Sequence, residues 1–457
     1  MKYFSLFAWL LVGSAFMTEI SAQTPAAGDS RLYDIVDAVS TQRIESDIRK
    51  LAGFGTRNTL SDTLSETRGI GAARRWIKSE FERISKQCND CLEVSFQSVL
   101  VKAGESPRIP VDTEIVNVIA IQRGTLYPDH YVIMSGDIDS RASDVINATI
   151  DAPGANDNAS GMAGTMEAAR VLSQYSFPVS IVYAGLSGEE QGLFGGKFLA
   201  QMAKDEGRKI LAVLNNDMIG NIEGIDGVID NRTFRIFSEP TPVTETEQER
   251  KARRYAGGEV DGISRQLARY VHRLTSHYMP ELNPMLIYRL DRFGRGGHHR
   301  PFNDMGFAAI RIMEAHENYN RQHQDIRLEN GIHYGDVIEG VNFDYAARLT
   351  AVNAISLASM AWAPQQPTQV KIGGAVLPST TLAWQGSDDT DLVGNLAGYK
   401  IYWRDTTVAQ WQHSRFVGKV NQFTLKNIVI DNYLFGVAAV SKSGHESVVV
   451  FPSGRIR

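Results

Sequence analysis

Short, almost wholly apolar runs punctuate this chain at 116–121, 131–134, 179–183, 210–214, 285–288 and 308–312. Runs of four to six such residues are too short for stable helices and read as strands buried on both faces. Helical segments separate several of them, at 161–175, 195–206 and 263–278. Parallel neighbours need a crossover, so the alternation implies an α/β fold, a mostly parallel sheet sandwiched by helices. Residues 31–85 read as helical, with Leu32, Ile35 and Val36, then Ile44, Ile48 and Leu51, at helical spacing, and a further helix from about 71 to 84. A last helix, 343–362, closes this unit. The polar segment 221–260 is expected to be an insertion or a flexible excursion.

At 457 residues the chain has room for two or three domains. The stretch Ala363-Pro-Gln-Gln-Pro-Thr368 reads as a linker, 363–368. After it, 369–457 carries short runs at 381–384, 398–404, 423–425, 433–441 and 448–451, the pattern of an immunoglobulin-like β-sandwich. With Trp384, Tyr399, Tyr402 and Tyr433 at its strands it resembles a fibronectin type III module. It has no catalytic cluster, so it reads as an accessory module for protein or cell-surface ligands. At the other end, Lys2, the apolar run 3–17, and Ser21-Ala22 have the three-part form of a signal peptide, 1–22. The mature chain, with a first domain at 23–362, is therefore expected to be exported, periplasmic or extracellular, with no membrane association after cleavage. Export makes a disulfide the expected state of Cys88 and Cys91. Lys and Arg number 47 against 52 Asp and Glu, without a basic stripe, which argues against nucleic acid as a partner.

In an open α/β sheet, ligands bind beyond the carboxyl ends of the strands. Polar residues collect there: Ser135-Gly-Asp137-Ile-Asp139, Ser187-Gly-Glu189-Glu190, Asn215-Asn-Asp217, and Glu314, His316 and His323 after the run at 308–312. The loop Pro153-Gly-Ala-Asn-Asp157-Asn158 precedes the helix at 161. Five acidic or imidazole groups at one sheet edge repel one another unless a cation joins them. Carboxylates with imidazole suit zinc. A carboxylate not bound to metal then serves as the base for a water. Adjacent glutamates point different ways, so Glu189 and Glu190 can divide these roles. The chemistry implied is metal-assisted hydrolysis.

These stretches, 153–161 and 187–192 above all, resemble the secreted co-catalytic zinc aminopeptidases of metallopeptidase clan MH, relatives of aminopeptidase Y and bacterial leucyl aminopeptidase. The resemblance covers roughly 31–362. It implies two zinc ions bridged by Asp157, with Asn158 following across a cis peptide. Glu190 and His323 would hold one ion and Asp217 the other, with Glu189 as general base. His323 is preferred over His316 as ligand, and the stretch 294–302 would lie beside the site. Two positions depart from the family. Its first strand ends in a histidine ligand where this chain has Asp137, and its Gly-Ser-Asp-His loop reads Gly296-Gly297-His298-His299 here. Asp137 is expected to serve as an oxygen ligand, altering that site's metal preference; loss of that ion, or of activity, are the other outcomes. His298 is expected to lie near Asp137 and compensate. Asp139, Asn158, His298, His299 and Tyr319 are expected around the ions or substrate, Tyr319 as a donor to an oxyanion. The function implied is an exported aminopeptidase acting on peptides. The alternatives are a single-zinc acyltransferase similar to glutaminyl cyclase, whose acidic loop residue is His298 here, and an inactive peptide-binding homologue.

Overall fold

The computed structural model describes residue 25 and residues 28–386 and 394–456. The expected signal peptide, 1–22, lies outside the described residues. The chain opens with three helices, α1 (Ser30–Ala38), α2 (Thr41–Ala52) and α3 (Gly69–Gln87). Asp29 and Ser40 cap the first two by accepting from the backbone N–H of Arg31 and Arg43. Cys88 and Cys91 are joined in a disulfide at the turn after α3.

The sheet follows, with β1 (Leu92–Val101), β2 (Thr113–Gln122), β3 (Tyr127–Asp137), α4 (Ala159–Leu172), β4 (Val179–Leu186), α5 (Glu189–Gly192), α6 (Phe194–Asp205), β5 (Lys209–Asn216) and β6 (Thr233–Ser238). Next come α7 (Glu247–Ala256), α8 (Ile263–Tyr278), β7 (Asn283–Ile287), α9 (His299–Asp304) and β8 (Ala309–Glu314). A small hairpin, β9 (Arg327–Glu329) with β10 (Ile332–Tyr334), precedes α10 (Phe343–Trp362). The eight strands run in the order β1-β2-β4-β3-β5-β8-β6-β7. Its centre, β4-β3-β5-β8, is parallel, and the edge hairpin β1-β2 is antiparallel. Every residue of β4 is buried, as its unbroken apolar run requires. Helices α4 and α10 pack on one face in the main core, where α10 buries 17 of its 20 residues.

Two expectations are corrected. The segment 221–260 is no excursion: β6 pairs with β7 and β8, and α7 begins with a capping box between Thr246 and Glu249. Its polar composition hid a strand whose Arg235 alternates with buried Phe234 and Ile236. Residues 448–451 form no strand of their own and meet the segment 433–441 through an isolated bridge at Val437–Val450.

Beyond α10 lie β11 (Thr368–Gly373), β12 (Thr380–Gln385), β13 (Leu396–Asp405), β14 (His413–Gly418), β15 (Gln422–Leu425), β16 (Tyr433–Ser441) and β17 (Gly454–Arg455). They form a four-stranded sheet, β15-β12-β11-β17, and a three-stranded sheet, β14-β13-β16, over a shared core of Trp384, Tyr399, Ile401 and Phe435. Polar contacts join this unit to the first. Asp261 accepts from Arg269 at 2.9 Å and from Arg404 of β13 at 2.8 Å, all three side chains being buried. His445 meets Asp29 at 2.9 Å, and Arg273 pairs with Glu446 at 2.6 Å.

Candidate metal centre

The carboxyl ends of β3, β4, β5 and β8 stand side by side, which brings together the loops that follow them. Close packing makes this possible. A Cβ on Gly161 would fall 2.3 Å from the Asn216 carbonyl, so only glycine lets the start of α4 approach the end of β5. Arg57 then fixes the loop ahead of α4. It is buried and donates to the carbonyls of Ile138 (2.8 Å), Leu51 (3.1 Å) and Gly154 (2.9 Å), and also to that of Pro153. Asp336 completes the clamp by accepting from the backbone N–H of Asn156 (2.8 Å) and Asp157 (2.6 Å). The Asp157–Asn158 peptide is cis.

Three side chains converge. His323 Nε2 lies 3.0 Å from Asp157 Oδ2 and 3.0 Å from Glu190 Oε1, and one ligand atom from each residue lies within 4.8 Å of the others. Burial alone would lower the imidazole of His323, but the Glu190 and Asp157 carboxylates outweigh it and raise it to about 9. Burial opposes the ionised form of Asp157, yet His323, with Arg292 and Arg295 behind it, holds that carboxyl well below the usual range. His316 lies elsewhere, 3.8 Å from Asp226 and 4.0 Å from Asp230.

Glu189 and Glu190 begin α5. Gly188, at φ +74°, turns the chain into it. Asp139 accepts from the backbone N–H of both glutamates, at 3.2 and 3.1 Å, and from Thr59 Oγ1 at 3.0 Å. Asp139 thus fixes the glutamate turn. Glu190 reaches His323, with Arg141 at 3.7 Å on its other oxygen. Withdrawal from water and the nearby Glu190, Asp217, Asp137 and Asp157 carboxylates push Glu189 well above its usual range.

The remaining two expected ligands are engaged elsewhere. His298 Nδ1 lies 2.5 Å from Asp137 Oδ1, and Asn158 Nδ2 donates to Oδ2 at 2.9 Å, so both oxygens of Asp137 are taken. Burial raises Asp137 to about 8 and lowers His298 to about 4, driving both partners toward their neutral forms. Asp217 Oδ2 lies 2.7 Å from a guanidinium nitrogen of Arg311, a wholly buried arginine in β8. Burial opposes the charge on Arg311, but Asp217 and Asp291 (3.1 Å) hold it firmly protonated. The other oxygen of Asp217, Oδ1, is buried without a hydrogen-bond partner among the described residues, as is His298 Nε2.

The carboxylate–carboxylate–imidazole set of Asp157, Glu190 and His323 fits zinc. The expected second set of Asp137, Asp157 and Asp217 does not fit another ion. It retains two available oxygens, and Arg311 already supplies a positive charge beside one of them. His299 points away, its Nε2 2.8 Å from the Leu290 carbonyl, and Tyr319 is about half exposed on the loop that carries His323. Arg311, Arg57 and Asp336 escape a reading of the sequence. Arg311 alone leaves a signal, a charge inside an otherwise apolar strand.

Residues 117–332 match the model of Peptidase family M28. A probable zinc metalloprotease of Pyrenophora tritici-repentis is 42% identical over 94% of this chain and 88% of its own length. The chain belongs to peptidase family M28. A probable zinc metalloprotease of Leptosphaeria maculans is 41% identical, over 93% of this chain and 97% of that protein. Among solved structures, the Legionella pneumophila LapA aminopeptidase shares the fold with a TM-score of 0.53 and 17% identity, over 74% of this chain and 76% of that one. As a family M28 member the chain is a zinc-dependent peptide hydrolase. No helix among the described residues is long and apolar enough to cross a membrane.

Proposed function

We propose that the chain is an exported aminopeptidase, holding one tightly bound zinc ion on Asp157, Glu190 and His323, with Glu189 as general base. The observation that carries the reading is the division of labour in the glutamate turn. Glu190 reaches into the three-ligand set, while Glu189, its neighbour at the start of α5, lies outside that set and is free to act as a base. LapA, similar in fold, is named an aminopeptidase, and the apolar run 3–17 supports export. When bound, the ion would polarise the scissile carbonyl and acidify the attacking water. Glu189 accepts that water's proton and returns it to the nitrogen of the leaving amine. Asp139 holds the Glu189 backbone in place through both steps. The C-terminal sheets, without a comparable cluster among the described residues, act as an accessory β-sandwich.

The test is hydrolysis of an aminoacyl-anilide panel by the full mature chain, with and without chelator, against Glu189→Gln. Turnover is expected to need the metal and to fall by about 10²–10⁴-fold in the variant, with zinc content unchanged. Chelator-insensitive turnover, or full activity in Glu189→Gln, overturns the proposal.

A further inference from the structure

Beside the centre lies a cavity of about 340 Å³. Its walls come from β6, from the loop between β7 and α9, and from the loop after β8 that also carries His323. Four arginines line it, Arg235, Arg289, Arg292 and Arg295, against a single carboxylate, Glu317. Glu317 pairs with Arg235 at 3.0 Å and Arg292 at 2.9 Å. Arg295 lies 3.9 Å from the same carboxylate, too far for a hydrogen bond, and Arg289 has no ion pair among the described residues. The wall thus carries four positive charges and one negative, and neither Arg289 nor Arg295 has a close carboxylate partner among the described residues. Phe237, Phe293 and Tyr319 supply apolar surface around them.

The cavity wall adjoins the centre through Gln322, whose amide lies 3.5 Å from Asp157 Oδ2. Arg295 donates to the side-chain oxygen of Gln322, the residue before His323. Arg292 approaches the sulfur of Met218, the residue after Asp217, at 3.9 Å. A peptide with its scissile bond at Asp157, Glu190 and His323 therefore sends an adjoining group into this space. A cationic group is repelled there. A neutral amide leaves the spare guanidiniums without a charged partner. A carboxylate matches their planar, two-donor face, and its methylenes match the aromatic walls.

We propose that this cavity is a specificity pocket for a carboxylate of the peptide substrate, carried near the scissile bond as an acidic side chain or as the chain's own C-terminus. The assignment of peptide chemistry rests on the proposed function; the anion preference of the cavity does not. Calorimetric binding of glutarate and of neutral glutaramide to the full, zinc-loaded chain tests the preference directly. Glutarate is expected to bind at least about tenfold more tightly, and Arg289→Gln and Arg295→Gln are each expected to weaken it about tenfold, as loss of a charge-assisted hydrogen bond implies. Glutarate seated on the metal instead would ignore both variants. Equal binding of the two compounds, or glutarate affinity unchanged in both variants, overturns the proposal. Hydrolysis then identifies the source of the carboxylate. A preference for glutamyl- over glutaminyl-anilide that Arg289→Gln abolishes assigns the side chain. A preference for free over amidated short peptides, lost in the same variant, assigns the C-terminus. Arginine-dependent glutarate binding in a chain that hydrolyses neither substrate leaves the pocket standing and removes the proposed function.

Discussion

Exchanging the two partners of the buried Asp137–His298 contact, as Asp137→His with His298→Asp, restores the order that the aminopeptidase resemblance implies. In the native chain His298 Nδ1 lies 2.5 Å from Asp137 Oδ1, and burial drives both groups toward their neutral forms. Each single exchange leaves a buried partner poorly matched, at about 1–3 kcal/mol. A chain of this length unfolds with an entropy of roughly 1 kcal/mol/K, so each single variant should melt about 1–3 °C lower. The double variant regains the contact and recovers most of that loss. It also sets an imidazole beside Asp157 and the unclaimed Oδ1 of Asp217, which makes three ligands where the native chain offers two. Native protein and His298→Asp, which lack that imidazole, should therefore retain one zinc per chain after gel filtration, and the double variant two. Free zinc at about a thousand times the dissociation constant should then add about 4 kcal/mol to the double variant but not to these two. Elemental analysis and calorimetric melting with and without zinc measure both effects. Two tightly held ions in the native chain, or one in a double variant of native stability, refute the reasoning.

Removing the imidazole in His323→Ala should abolish tight zinc retention, read by elemental analysis, while His316→Ala leaves it at one ion per chain. Glu239, which burial raises to about 7, is protonated in the fold at pH values where the unfolded chain has already ionised it. Its contribution is present below about pH 4.5 and lost as pH rises through 7, so the decline in melting temperature across that window should flatten in Glu239→Gln. Asp261→Asn leaves Arg269 and Arg404 buried without their counter-charge and should cost about 3–5 kcal/mol in denaturant unfolding.

Much of this architecture was legible. Unbroken apolar runs in β3, β4 and β5 announce strands buried on both faces, and α8 and α10 follow the bounds that their patterns suggest. Placing loops at the strand ends gathered acidic and imidazole residues at one edge, and the aminopeptidase resemblance implied the set Asp157, Glu190 and His323 among them. What stayed hidden depends on side chains distant in sequence. Arg235 made β6 look like polar loop, although it reaches Glu317 and lets Phe234 and Ile236 face the core. Arg311 sits within a run recognised as a strand, but its pairing with Asp217 and Asp291 is a property of the sheet edge. Three of the cavity's arginines, Arg289, Arg292 and Arg295, lie close together in the sequence, but Arg235 and Glu317, which complete the wall, come from β6 and from the loop after β8.

The buried pairing of Asp261 with Arg269 and Arg404 changes what the C-terminal sheets are to the rest of the molecule. One arginine belongs to α8, which packs against β6, β7 and β8, and the other to β13. Severing the chain near residue 363 would uncover a charge set arranged for the interior, so the first unit would lose part of its own foundation. The two units should unfold in one cooperative step. A graft that replaces the C-terminal sheets will work only if it brings its own cation to Asp261.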